Sequence, residues 1–458
     1  MMRSPSTTRS PHSVAGIMLP VVPTLCWLAL WGSINTSPWE IDLNRILSGW
    51  TGAFNGVRAT LPLVVLPIWI LHLLARSDTG MREPTLPEWL WFFYAVVCLV
   101  ASIGVENWFA SGYWGLAFIA TLGAGEMYLA ECGGEVAGAA SLNRLSWIAA
   151  VVILAIVVYV SRGHLLEDTG EGLTGYGVNV RMRTVAGMAM VRPTGISRFA
   201  GAVAIVACAA MWRAERWTRV TWLALFAGCA WLVWVMQSRG SLVGFVAALG
   251  VVMLLLGGRA RTIGILALVL TAGAVSLNFV SHETLNYIWR HATRHDLNLM
   301  KMTGRTDIFQ DAWLAILRAP IIGYGPQGDR RIIFANAQNG VLYALLCGGF
   351  LGGGAWTLGF AIALVYLARA VWRRDIVPVD DSMLFAQVAG LMVFFTLRTI
   401  PENTAALFSV DLMLQLPAMV YLGVLVRAAN LRNASEAAET LATTHGAASV
   451  AFNARAYR

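Results

Sequence analysis

Apolar residues along this chain do not alternate with polar ones; they come in long runs separated by short polar segments that carry arginine. The runs fall at 14–36, 56–75, 87–105, 114–132, 145–161, 199–212, 218–236, 240–257, 262–280, 339–368, 383–399 and 404–426. Most approach the length of about twenty residues that carries a helix across a bilayer. Only helices and closed barrels satisfy every backbone polar group in lipid, and barrel strands would alternate. The pattern therefore predicts an all-α polytopic membrane protein with about twelve transmembrane helices.

The longest polar interruption divides the chain into a membrane bundle at 1–280, a helical loop at 281–338, further spans at 339–430 and a small, polar, mobile tail at 431–458. Within the loop, Ile308, Phe309, Ala312, Trp313, Ile316 and Leu317 recur at helical spacing opposite Gln310, Asp311 and Arg318, which predicts an amphipathic helix lying on the bundle or at the interface. Thr303 or Thr306 is placed to cap its start, and Pro320 ends it. His282 to Met300 reads as a second, more polar helix. Residues 37–55, with Trp39 and Trp50, read as a partly embedded segment. The first span lacks a small-residue cleavage site and is expected to stay uncleaved.

Composition agrees: 57% of the 458 residues are hydrophobic, 13% are charged and mean hydropathy is +0.64. The net charge of +8 is almost wholly arginine, since Lys301 is the lone lysine. Arginine forks grip phosphate bidentately where lysine offers a point charge. No basic soluble domain exists to meet nucleic acid, which is excluded as a partner. The six cysteines lie in or beside apolar runs without paired spacing and read as small buried hydrophobes.

Charge also orients the chain. With the N-terminus inside, the cytoplasmic connections carry Arg76 and Arg82, then Arg144, then Arg213, Arg216 and Arg219, then Arg259 and Arg261, then Arg369, Arg373 and Arg374, and finally Arg427 and Arg432. By the positive-inside rule both termini of this multi-pass chain are expected to be cytoplasmic. Two external loops break the rule: 162–198 and 281–338 are both basic, yet shorter than the roughly 60 residues beyond which loops escape it. Positive charge retained there suggests a roof over an active site for a lipid-linked anion.

Four constellations could carry that chemistry. Arg192-Pro193-Thr194-Gly195 precedes the sixth span with Arg198 close behind, so helix-start amides and guanidinium groups can converge on an anion; the alternative is snorkelling at a membrane boundary. Ser238-Arg239-Gly240-Ser241 forms a turn tight enough to hold Arg239 at membrane depth or just outside, costly unless paired. Arg305 precedes Asp307 and Gly323-Tyr324-Gly325-Pro326, and can pair locally or reach a phosphate; these glycines lack the lysine of a nucleotide loop. Asn336-Ala337-Gln338-Asn339 opens the tenth span, whose Gly348, Gly349, Gly352, Gly353 and Gly354 read as close helix packing. Arg398 and Glu402, in the last external turn, are further candidates for the site.

Taken together, the ordered set from about Arg192 to Glu402 resembles the O-antigen ligase and polymerase family of bacterial cell-envelope proteins. Twelve spans with a large loop between spans nine and ten resemble its ligase branch. The resemblance implies a place in the bacterial inner membrane and transfer of a glycan from an undecaprenyl-pyrophosphate donor to the lipid A core on the periplasmic face, inverting and without cofactor or metal. Arg192, Arg239 and Arg305 would hold the pyrophosphate, and membrane lipid would surround the site. The family places a histidine immediately before the asparagine at the head of span ten; here that asparagine is Asn339 and the position is Gln338. Neutral glutamine can hydrogen-bond a hydroxyl but cannot take its proton, whereas histidine can. Either the chain is an inactivated variant or the base lies elsewhere.

His291 and His295 have the one-turn spacing of a metal pair, but no third ligand accompanies them and a solvated helix face is the plainer reading. Two alternatives stay open. An O-antigen polymerase would use a second lipid-linked glycan as acceptor. A lipid-linked oligosaccharide transporter would use Glu126, a carboxylate within a span, although such carriers usually show broken central helices that the sequence does not announce.

Overall fold

The computed structural model describes residues 20–34, 36, 38–76, 82–132, 134–161, 193–236, 238–280 and 305–456, with the backbone alone at 45, 161, 193, 239, 274–280, 305–306 and 438–456. The expected polar helix at 282–300 with its histidines, most of the 162–198 loop, and Arg192 lie outside these residues.

Among the described residues the protein is all-α, and each apolar run lies on a helix. In order these are α1 (Val21–Ser33), α2 (Trp50–Ala75), α3 (Leu86–Ile103), α4 (Trp108–Glu131), α5 (Glu135–Ser161), α6 (Pro193–Arg213), α7 (Arg216–Val235), α8 (Arg239–Leu256) and α9 (Arg259–Val280). The loop contributes α10 (Arg305–Arg318) and α11 (Gly328–Ile332), and the chain closes with α12 (Gly340–Trp372), α13 (Ser382–Thr399) and α14 (Val410–Ala456). Helices α2, α3, α5, α6, α7, α12, α13 and α14 are long and apolar enough to cross a membrane.

Several helices start earlier than their apolar runs, because hydropathy marks only the part that meets lipid. Helix α5 begins ten residues before position 145, so Arg144 belongs to a helix rather than to a loop. The polar tail expected after Ala434 keeps helical backbone to Ala456, in keeping with the helix preference of its many alanines. Helix α10 matches the amphipathic reading and stops before Pro320; it starts at Arg305, which puts Thr306 inside it rather than at its cap.

Helices α3 and α12 pack closely along one another. A Cβ at Gly348, Gly352 or Gly359 would press on Tyr94, Val97 or Trp91, so these glycines do permit close helix contact. Trp91 and Trp356 stack with ring centroids 5.9 Å apart, and the Trp91 indole donates to the Trp356 carbonyl at 3.1 Å.

Helix α12 is not continuous, although its glycines present a packing stripe in the sequence. At Gly349 the backbone takes φ 60° and ψ −166°, a region open only to glycine, and the helix breaks. The chain after α10 fills the break: Tyr324 and Gly325 donate their amides to the Leu346 and Cys347 carbonyls at 2.9 and 2.8 Å, and the Phe350 and Leu351 amides reach the Pro320 and Ile321 carbonyls at 2.6 and 3.1 Å. Gly323 and Gly325 have φ of 67° and 73°, and a Cβ on Gly323 would strike the Leu346 carbonyl and the Gly349 amide. The expected close backbone approach is thus an insertion of the loop into a membrane helix. Broken helices mark carriers when their freed carbonyls face an ion path. Here the loop backbone takes them, so the break does not argue for transport.

The end of the bundle away from the loop is held by ion pairs. Arg82 meets Glu88 at 2.9 Å, Arg427 meets Glu135 at 2.7 Å and Arg144 meets Asp381 at 3.8 Å. Glu126 lies toward this end, accepting from the Trp69 indole at 2.9 Å beside a cavity of about 330 Å³ also lined by His72, Arg76, Arg82 and Glu135. It is far from the features described next.

Candidate functional site

Helices α6, α8, α12 and α14 all begin, and α13 ends, at the same end of the bundle, the end that carries α10 and α11. Helix starts present unpaired amides and the positive end of the helix dipole, so several directed at one region favour an anion. The turn at 400–404 is their hub. Asn339 donates its side-chain amide to the Ile400 carbonyl at 2.9 Å, and a Cβ on Gly240 would press on Pro401. The heads of α12 and α8 therefore touch the same turn. The hydroxyls of Thr399 and Thr404 bond across it, against Gly340.

The residues before α12 are held in an unusual conformation. Asn339 caps the helix, its side-chain oxygen accepting from the Leu342 amide at 2.9 Å. Asn336 accepts from the Gln338 amide at 3.1 Å, and Gln338 adopts φ 48°, a left-handed conformation uncommon for a residue with a Cβ. Backbone in such regions persists when its surroundings over-determine it, and it gathers at functional sites. Gln327, Phe334 and Ala405, also near this end, share the positive φ.

Asp329 is one of the constraints. It is 1% exposed, and its carboxylate accepts from the Arg330 amide at 2.9 Å and the Ala337 amide at 3.1 Å. Burial pushes its pKa above the usual carboxylate value, against the lowering by those amides and by Arg330. Asp329→Ala would leave both amides unpaired, and we expect it to lower stability by about 2 kcal/mol, with Asp329→Asn losing less. Thermal unfolding of the two variants checks this, and equal stability of Ala and parent would show that the turn is held otherwise. Arg331 is spent on structure: its guanidinium donates to the Tyr324 and Pro326 carbonyls at 2.7 and 3.1 Å, and burial lowers its pKa.

A second constellation lies deeper. Arg198, on the second turn of α6, meets Asp411, on the first turn of α14, at 2.7 Å. Arg398, near the end of α13, is 1% exposed, donates to the Ser241 hydroxyl and lies within electrostatic reach of Asp411, Arg198 and Glu402. Ser238 and Ser241 hydrogen-bond at 3.0 Å at the head of α8.

The expected site residues divide as follows. Gln338, Asn339, Arg198, Arg398 and Glu402 all lie at this end of the bundle. Arg239 is the first residue of α8 and Arg305 the first of α10; their backbones are placed and their side chains are outside the description, as is the whole of Arg192. Asp411 and Asp329 were not anticipated. A lone carboxylate opening an apolar run, Val410-Asp411-Leu412, was the available signal for Asp411, since such acids seldom lie in a membrane without a partner. Asp329 gave no local signal among the other charges of the loop.

Comparison with known proteins identifies residues 224–357 as matching the family model described as O-antigen ligase. No curated protein matches the chain. The match bears out the family resemblance, and it runs from within α7 into α12, so that it contains Arg239, Arg305, Gln338 and Asn339.

Proposed function

We propose that this chain is a periplasm-facing glycan ligase, moving a glycan from an undecaprenyl-pyrophosphate donor to a sugar hydroxyl of the lipid A core. The family match supports an O-antigen ligase or polymerase type of activity in a multi-pass membrane protein. What supports donor and acceptor meeting at one site is the shared turn at 400–404, which brings the head of α8, where Arg239 lies, beside the head of α12, where Gln338 lies.

In the transfer the acceptor oxygen forms a bond to the anomeric carbon from the face opposite the leaving group. The bond from that carbon to the pyrophosphate oxygen breaks, and the acceptor proton passes to a base. Charge grows on the pyrophosphate as it leaves, and fixed guanidinium groups stabilise such charge without reorganisation. Arg192, Arg239 and Arg305, one before or at the start of each of three helices, would form this clamp. Gln338 would hydrogen-bond the acceptor hydroxyl but cannot receive its proton.

Purified protein with lipid-linked glycan, core lipid and a chelator tests the reading. Glycan on core lipid supports a ligase, and longer lipid-linked chains would instead make it a polymerase. Arg192→Ala, Arg239→Ala and Arg305→Ala, made in a Gln338→His background, are each expected to lower transfer by about 10² or more while leaving the protein folded. Unchanged activity in all three would remove the clamp.

A further inference from the structure

The trio of Arg198, Asp411 and Arg398 contains two guanidinium groups and one carboxylate, with Arg198 only partly buried. Asp411 is fully buried and Arg398 nearly so, and neither location is cheap for a charge. Glu402, the next acid within reach of Arg398, is only half buried and stands in the turn where water can screen it. Among the described residues the Nε atoms of Arg198 and Arg398 and Oδ1 of Asp411 find no hydrogen-bond partner. Both side-chain polar atoms of Gln415, one turn beyond Asp411 on α14, are also without one. A largely buried group of this kind, with one positive charge in excess and donors unspent, is arranged for an anion that the protein does not itself supply.

We propose that Asp411 is a positioning residue: it holds Arg198 beside Arg398 and cancels one of their two charges, so that the pair takes phosphate oxygens of the donor diphosphate and releases them after transfer. This rests on the glycan-transfer reading for the identity of the anion. It adds a carboxylate that regulates how tightly the arginines hold. Without Asp411 the pair would carry two positive charges and keep the pyrophosphate product.

The test is calorimetric titration of inorganic pyrophosphate into the full chain in lipid nanodiscs. Asp411→Asn is expected to tighten pyrophosphate about tenfold or more, since it removes a unit charge at contact range. In a transfer assay, made in the Gln338→His background, the same substitution should give a lower kcat with a lower donor KM, a split that loose packing alone would not give. Asp411→Glu, which keeps the charge, should hold pyrophosphate affinity within about threefold of the parent. If Asp411→Asn is not recovered folded, Arg198→Gln with Asp411→Asn removes the ion pair as a unit, and there the affinity should weaken about tenfold through loss of the Arg198 donors.

No pyrophosphate binding by the parent, or equal affinity in parent and folded Asp411→Asn, would overturn the proposal, as would unchanged affinity in the double variant. Affinity that responds to Asp411, in a chain that transfers no glycan even with Gln338→His, would leave it standing and remove the transfer reading. Transfer with affinity indifferent to Asp411 would do the reverse.

Discussion

Gln338→His is expected to raise glycan transfer by about 10² to 10⁴, the range that a general base contributes. Backbone and chemistry agree on this substitution. Position 338 has φ 48°, and histidine is among the residues enriched several-fold in the left-handed region, whereas glutamine is not. Asn336, Asp329 and Asn339 hold the turn through its backbone and through the cap of α12, so none of these contacts needs the glutamine side chain. The new imidazole would stand at the head of α12, beside the turn that also meets α8.

Its signature would be pH dependence. An imidazole acts as a base only when neutral, so transfer by the variant should rise with pH through about 6.5 and level off above it. The parent should lack that limb. Equal rates for parent and variant across pH 5 to 8 would show that the proton goes elsewhere, and would count against Gln338 as the position of the missing base.

Gly349→Ala should be the most damaging single change in the membrane helices. Its backbone lies where only glycine is at ease, which costs an alanine about 1–3 kcal/mol. The added Cβ would also collide with the Ile321 carbonyl and stand 2.6 Å from the Ile322 amide, and overpacking of this kind costs about 1–3 kcal/mol more. Relief would require the loop to withdraw, exposing the Leu346 and Cys347 carbonyls and the Phe350 and Leu351 amides inside the bundle. The expected result is a marked drop in thermal stability, with loss of transfer because α10 and Arg305 are tethered through this stitch. Gly354, on the same helix, is a control: a Cβ there meets nothing within 4 Å, and Gly354→Ala should be neutral or mildly stabilising. Similar melting of both variants would mean that the break in α12 is not what secures the loop.

The layout of the bundle is written in the hydropathy pattern. Long apolar runs with no alternation can satisfy their backbone in lipid only as helices, so the helices, their order and the amphipathic α10 were legible before any coordinates. The motifs at 238–241 and 336–339 were legible as well, because turn chemistry and capping act over a few residues, and the family match falls on them. Tertiary structure alone decided the break in α12, which local pattern presented as a glycine packing stripe. It also decided the pairing of Arg198 with Asp411, which are 213 residues apart in the chain, and the meeting of Asn339 with Ile400, 61 apart. Periodicity records which face of a helix is apolar. Which helix ends face one another, and so which charges must answer one another in a medium without water, is fixed only when the bundle closes.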